Sequence, residues 1–111
     1  MTDSDNHRAR RYSFVAGILV TDLATEKQLS AHTQELSSFG CFVETVKPFA
    51  ENAKVRARIT RSGMHLVAQG RVTHSLPNVG MGIVFTSFES GSLSILELWL
   101  TDLRNRHSIV T

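Results

Sequence analysis

Residues 54–60, KVRARIT, alternate without a break. Val55, Ala57 and Ile59 fall on one side of an extended chain, and Lys54, Arg56, Arg58 and Thr60 on the other. Successive side chains of a strand point to opposite faces, so this period of two describes a half-buried antiparallel strand. An apolar face of this kind needs partners. The next residues supply one: RSG, ending at Gly63, reads as a tight turn in which glycine takes positive φ. MHLVAQGRVTHS then runs back as the second arm of a hairpin.

Four further strands fit the same pattern. YSFVAGILVTD is apolar and β-rich and reads as the first strand. LATEK turns, QLSAHTQEL forms the second strand, SSFG turns again, and CFVET is a short third strand. KPFAEN is a loop, with Pro48 and Asn52 as turn formers. After the hairpin, LPNVG turns into MGIVFTS, the last strand. Six short strands separated by turns predict a β-barrel or a sandwich. The period then changes. Leu93, Leu96, Leu100 and Leu103 recur at steps of three and four, the stripe of an amphipathic helix. Ser92 or Ser94 is placed to cap it, and Glu97 completes a capping box with Ser94. Arg104 and Arg106 suit the helix C-terminal dipole, and Trp99 beside the stripe reads as core or interface anchor.

At 111 residues the chain suits one domain whose core needs no staples. The expected division is a flexible basic arm over residues 1–10 and a single barrel domain with its helix over 11–105. Hydrophobic residues make up 41% and charged residues 20%, an ordinary globular mixture without a membrane-length apolar run. The opening MTDSDNHRARR has no apolar segment behind its arginines, which argues against a secretory signal. Cys41 is the one cysteine, so no internal disulfide forms, and a cytoplasmic setting is expected.

The net charge is only +2, and its distribution says more than its size. Arg8, Arg10 and Arg11 cluster just before the first strand, either as a solvated tail or as an anion-binding arm. Lys54, Arg56 and Arg58 read as the wet face of a strand. His7, His32, His65, His74 and His107 have no metal-ligand spacing, so no zinc site is expected. Cys41 lies in an apolar run and reads as a small buried hydrophobe rather than a nucleophile. No phosphate loop and no carboxylate pair points to catalysis, and no cofactor is expected.

ELSSFGCFVET, residues 35–45, places a small polar turn before a buried strand. Taken with the arginine cluster ahead of the first strand, it resembles the PilZ domain family. That family's second motif is Asp or Asn, any residue, Ser, two residues, Gly; here it corresponds to Glu35, Ser37 and Gly40. GRVTHSLPNVGMGIVFTSF is similar to the family's last hairpin, whose Gly-x-Gly precedes a strand ending in Phe. The resemblance covers about Arg8 to Leu103.

The resemblance implies a six-stranded antiparallel β-barrel with a C-terminal helix, mainly β, and a receptor role for the bacterial second messenger cyclic di-GMP. Arginine suits that ligand: its planar fork pairs with phosphate or with guanine O6 and N7, and it stacks on bases. Arg8, Arg10, Arg11, Glu35, Ser37, Gly40 and His74 are the implied ligand-binding residues. Glu35 would accept from the guanine N–H edge, Ser37 would donate or accept, Gly40 would let backbone approach, and His74 would stack. Ordering of the arm would then signal to a protein partner in motility, pilus or biofilm control.

Two positions depart from the family. Its first motif has arginines four residues apart, and His7 stands where the first would be. Glu35 replaces the usual Asp or Asn. These departures favour an alternative: a degenerate PilZ-like interaction module that binds a partner and no nucleotide. A barrel binding nucleic acid is a third reading, and an aromatic content of 7% counts against it.

Overall fold

The computed structural model describes residues 10–109, with side chains as far as residue 106. In chain order the elements are β1 (Tyr12–Ser13), β2 (Gly17–Asp22), β3 (Gln28–Leu36), β4 (Gly40–Glu44), β5 (Lys54–Arg61), β6 (Met64–Leu76), β7 (Gly80–Phe88) and α1 (Ser92–Ile109). β3, β2, β5, β6, β7 and β4 pair in that order, all antiparallel, and β4 closes back onto β3. This is the expected six-stranded barrel, with the short β1 added. Closure removes the free sheet edges that an open sheet would expose.

Alternation decides which side of each strand faces inward. Val55, Ala57 and Ile59 of β5 are fully buried, as their spacing predicted, and Lys54 and Arg58 are exposed. Leu66, Ala68 and Val72 of β6 meet Met81 and Ile83 of β7 in the same core. Gly63 has φ 78° in the β5–β6 turn, with Ser62 also left-handed at 53°.

The first strand departs from the sequence expectation. It is two pieces on one edge of β3, β1 opposite Leu36 and Glu35, and β2 opposite residues from His32 back to Gln28. Between them the chain carries one residue more than β3 does, a bulge that leaves Val15 exposed. The buried Thr33 holds the interruption. Its hydroxyl donates to the Phe14 carbonyl at 2.6 Å and accepts from the Ala16 N–H at 3.0 Å. The polar groups freed by the bulge are thus satisfied inside the core.

α1 packs against β6 and buries Leu96, Trp99, Leu100 and Leu103. Trp99 is therefore core, with its ring 5.3 Å from that of Phe14. Leu93, expected on the buried stripe, is instead exposed. Ser92 explains this: it is buried, and its hydroxyl accepts the Val67 N–H at 2.9 Å. That bond docks the first residue of the helix on β6, and Leu93 points about 100° away. The same bond spends the Ser92 hydroxyl on a strand amide. No capping box forms at Ser94 and Glu97, and the Ile95 N–H reaches the Gly91 carbonyl at 3.3 Å. Among the described residues no helix is long and apolar enough to cross a membrane.

Candidate functional site

The site begins at the turn between β3 and β4. Ser37 organises it. The Phe39 and Gly40 N–H groups donate to the Ser37 hydroxyl oxygen at 3.1 and 3.2 Å, and the Ser37 N–H donates to the Gly40 carbonyl at 2.9 Å. Serine is used here as a turn former that replaces backbone acceptors. Its own O–H is 3.5 Å from the Gly40 carbonyl, too far for a good O–H···O bond, so the proton remains able to donate elsewhere.

Gly40 is required for packing. A Cβ there would collide with the Ile83 carbonyl of the neighbouring strand, and its φ is not among the positive ones. Close approach of the neighbouring strand, rather than an unusual backbone conformation, is thus the reason for this glycine. β4 and β7 simply cross too closely for a side chain.

β7 contributes a second glycine to the outer surface. Gly82 stands opposite His74, just where β6 carries an extra residue, Thr73, in a bulge. A Cβ on Gly82 would lie 2.9 Å from the Thr73 hydroxyl and 3.4 Å from His74 Nδ1. The missing side chain leaves a trough between Phe42, Val84, Thr73 and His74. Bulges re-aim side chains beside binding sites, and this one presents both Thr73 and His74.

The trough opens into a cavity of about 710 Å³ that Arg11, Glu35, Ser37, Gly40 and His74 all line. Ligand clefts occupy roughly 300–1,000 Å³. Arg11 reaches it from the residue before β1, and Glu35 from the end of β3. Their charged groups are 3.9 Å apart and both exposed. An exposed pair at that distance is worth about 0–1 kcal/mol, so an anion can redirect Arg11 at little cost. His74 shares a contact with the Thr73 hydroxyl at 3.1 Å.

Five of the seven expected residues therefore converge. Arg10 does not line the cavity: its guanidinium lies over the Tyr12 ring at 5.5 Å. Arg8 lies outside the described residues, as does His7. Phe39, Phe42, Thr73, Leu76 and Gly82 line the same cavity and were not anticipated as site residues. Phe39 carried a signal, an aromatic in an otherwise small and polar turn. Thr73 carried none.

The groups present can bind and orient. Arg11 and Ser37 donate, Glu35 accepts, and Phe39, Phe42 and Leu76 provide apolar surface. Cys41 adjoins the cavity with its thiol buried, and desolvation pushes its pKa from 9.0 to about 12. It stays a neutral thiol at physiological pH. Among the described residues no cluster of ligating side chains could hold a metal ion.

The comparisons with known proteins bear on the family and the fold. The family model for the PilZ domain matches residues 5–102. No curated protein matches the chain. Among solved structures, the PilZ domain of CeSA from a cellulose-synthesizing bacterium superposes with a TM-score of 0.65 at 18% identity, over 81% of this chain and 94% of that one. The Bacillus subtilis inhibitor of motility, MotI/DgrA, superposes with a TM-score of 0.70 at 12% identity. That match covers 94% of this chain and 52% of the inhibitor, so this chain spans about half of it. At such identities these two likenesses concern the fold, and the family assignment rests on the match over residues 5–102. The chain belongs to the PilZ domain family, a family of cyclic di-GMP receptor domains.

Proposed function

We propose that this PilZ domain binds cyclic di-GMP in the cavity between Arg11 and the Ser37–Gly40 turn. The observation that carries the reading is convergence. Arg11, Glu35, Ser37, Gly40 and His74 come from distant parts of the chain and line one cavity of about 710 Å³. Arg11 takes a phosphate or the Hoogsteen edge of a guanine. Glu35 accepts from a guanine N–H edge, and the Ser37 O–H, held only by a long 3.5 Å contact to the Gly40 carbonyl, turns to donate to a phosphate or base oxygen. Arg8 and Arg10 join from the N-terminal side when that segment closes over the ligand. The surface changed by closure is what a protein partner reads, in control of motility, pilus function or biofilm formation.

A second reading, an interaction module that has lost its nucleotide, is favoured by one observation. Arg11 already faces a carboxylate of its own chain at 3.9 Å. A calorimetric titration with cyclic di-GMP, with GTP as control, separates the two. Micromolar or tighter binding, weakened about tenfold or more in Arg11→Ala, is the expected result for a charge-assisted contact. A flat titration on folded protein would select the interaction module.

A further inference from the structure

Phe39 is an aromatic side chain that the barrel does not use. Its neighbours in the turn are Ser37, Ser38 and Gly40, yet the residue is 52% exposed. The aromatic pairs among the described residues are Phe14–Trp99 and Phe85–Phe88, and neither includes it. Its backbone, in contrast, is fixed on both sides. The Phe39 N–H donates to the Ser37 hydroxyl at 3.1 Å, and its carbonyl accepts the Phe85 N–H at 2.7 Å. The result is a free ring on a rigid mount, at the rim of the cavity that Arg11, Glu35 and Ser37 line.

Such a mount suits a flat ligand. A phosphate or a carboxylate alone gains nothing from an aromatic face. A nucleobase stacks on one, while the guanidinium and carboxylate beside it address the charged and hydrogen-bonding edges. Because the turn is held by Ser37 and by β7, little ordering cost falls on the platform when the base arrives. We infer that Phe39 is the stacking platform for a base of the bound nucleotide, and that it separates nucleobase-bearing ligands from other phosphate esters of similar charge. This rests on the nucleotide-binding reading above.

The test is a set of titrations with cyclic di-GMP on the full chain and on Phe39→Ala, Phe39→Leu and Phe39→Tyr, with Arg11→Ala alongside and a thermal melt of each. Stacking predicts affinity about tenfold or more weaker in Phe39→Ala and weaker in Phe39→Leu, retained in Phe39→Tyr, at unchanged melting temperature because the ring is exposed. Should Phe39→Ala fail to fold, the contrast of leucine with tyrosine still decides. Affinity unchanged in Phe39→Leu, with Arg11→Ala weakened, would overturn the platform and leave the nucleotide-binding reading standing. A flat titration on folded wild-type protein would overturn both.

Discussion

Phe14 and Phe39 show how differently the two ends of this barrel treat the same side chain. Phe14 is 3% exposed, with the Trp99 ring 5.3 Å away on one side and the Arg61 guanidinium 4.5 Å from its centroid. The Phe39 ring is in neither of the aromatic pairs Phe14–Trp99 and Phe85–Phe88, and the residue stands half in solvent. Near Phe14 the helix covers what the strands leave apolar, and the hollow that remains beside Phe14 and Trp99, about 260 Å³, is much smaller than the cavity at Arg11. At the cavity, glycines replace side chains, bulges shift the register, and a charged pair sits loosely at 3.9 Å. Phe14 is part of the buried core, whereas Phe39 lines the cavity with much of its side chain in solvent.

The largest effect should come from the packed end. Trp99→Ala removes the aromatic that joins α1 to Phe14 and should cost about 3–5 kcal/mol in urea unfolding. A loss below ~1 kcal/mol would mean that the helix is not integral to the core. Gly40→Ala tests the other end. Its Cβ would meet the rigid Ile83 carbonyl, so a cost of about 1–3 kcal/mol is expected, with the β4–β7 pairing displaced. Tolerance of alanine there would show that the cavity wall yields more than its geometry implies.

Much of the fold was legible in the chain because it depends on local pattern. The alternation of Val55, Ala57 and Ile59 and the Gly63 turn needed nothing beyond neighbouring residues. The break in the first strand was not legible, since it depends on the Thr33 hydroxyl reaching Phe14 and Ala16 across the sheet. Leu93 was misplaced for a similar reason. Its periodicity fitted, but the Ser92 bond to Val67 set the rotation of the helix. In the site, Glu35, Ser37 and Gly40 were visible through their resemblance to the second motif of the PilZ family. Phe42, Thr73 and Gly82 were not visible as a group, because β4, β6 and β7 bring them together only on closure and the Thr73 bulge has no local signature.

Cys41 offers a pH test of the wall between cavity and core. Its folded pKa, about 12, lies above the ordinary 9.0, so the native state holds its proton longer than the unfolded chain does. Stability from this group is therefore complete below about pH 9 and falls as pH rises toward 12, by up to ~1.4 kcal/mol per pH unit. Comparing unfolding midpoints of wild type and Cys41→Ala across this range isolates the slope; equal slopes would show the thiol to be less enclosed. The smallest effect belongs to the surface pair Arg56–Glu89. The Arg56 guanidinium hydrogen-bonds Glu89 at 2.7 Å and lowers its pKa, so the pair's contribution is present near neutrality and fades as pH falls through that lowered value. Glu89→Gln should leave the unfolding midpoint nearly unchanged at neutral pH and reduce its acid dependence slightly. A large shift would place structural weight on an exposed face.

The contrast between the two ends is tested most directly by following backbone amide resonances of the ¹⁵N-labelled protein during titration with cyclic di-GMP. Shifts centred on Phe39, Gly40, His74 and Gly82, with the Trp99 indole unmoved, are the predicted result. Unchanged spectra at saturating nucleotide, or shifts centred on Phe14 and Trp99, would contradict it.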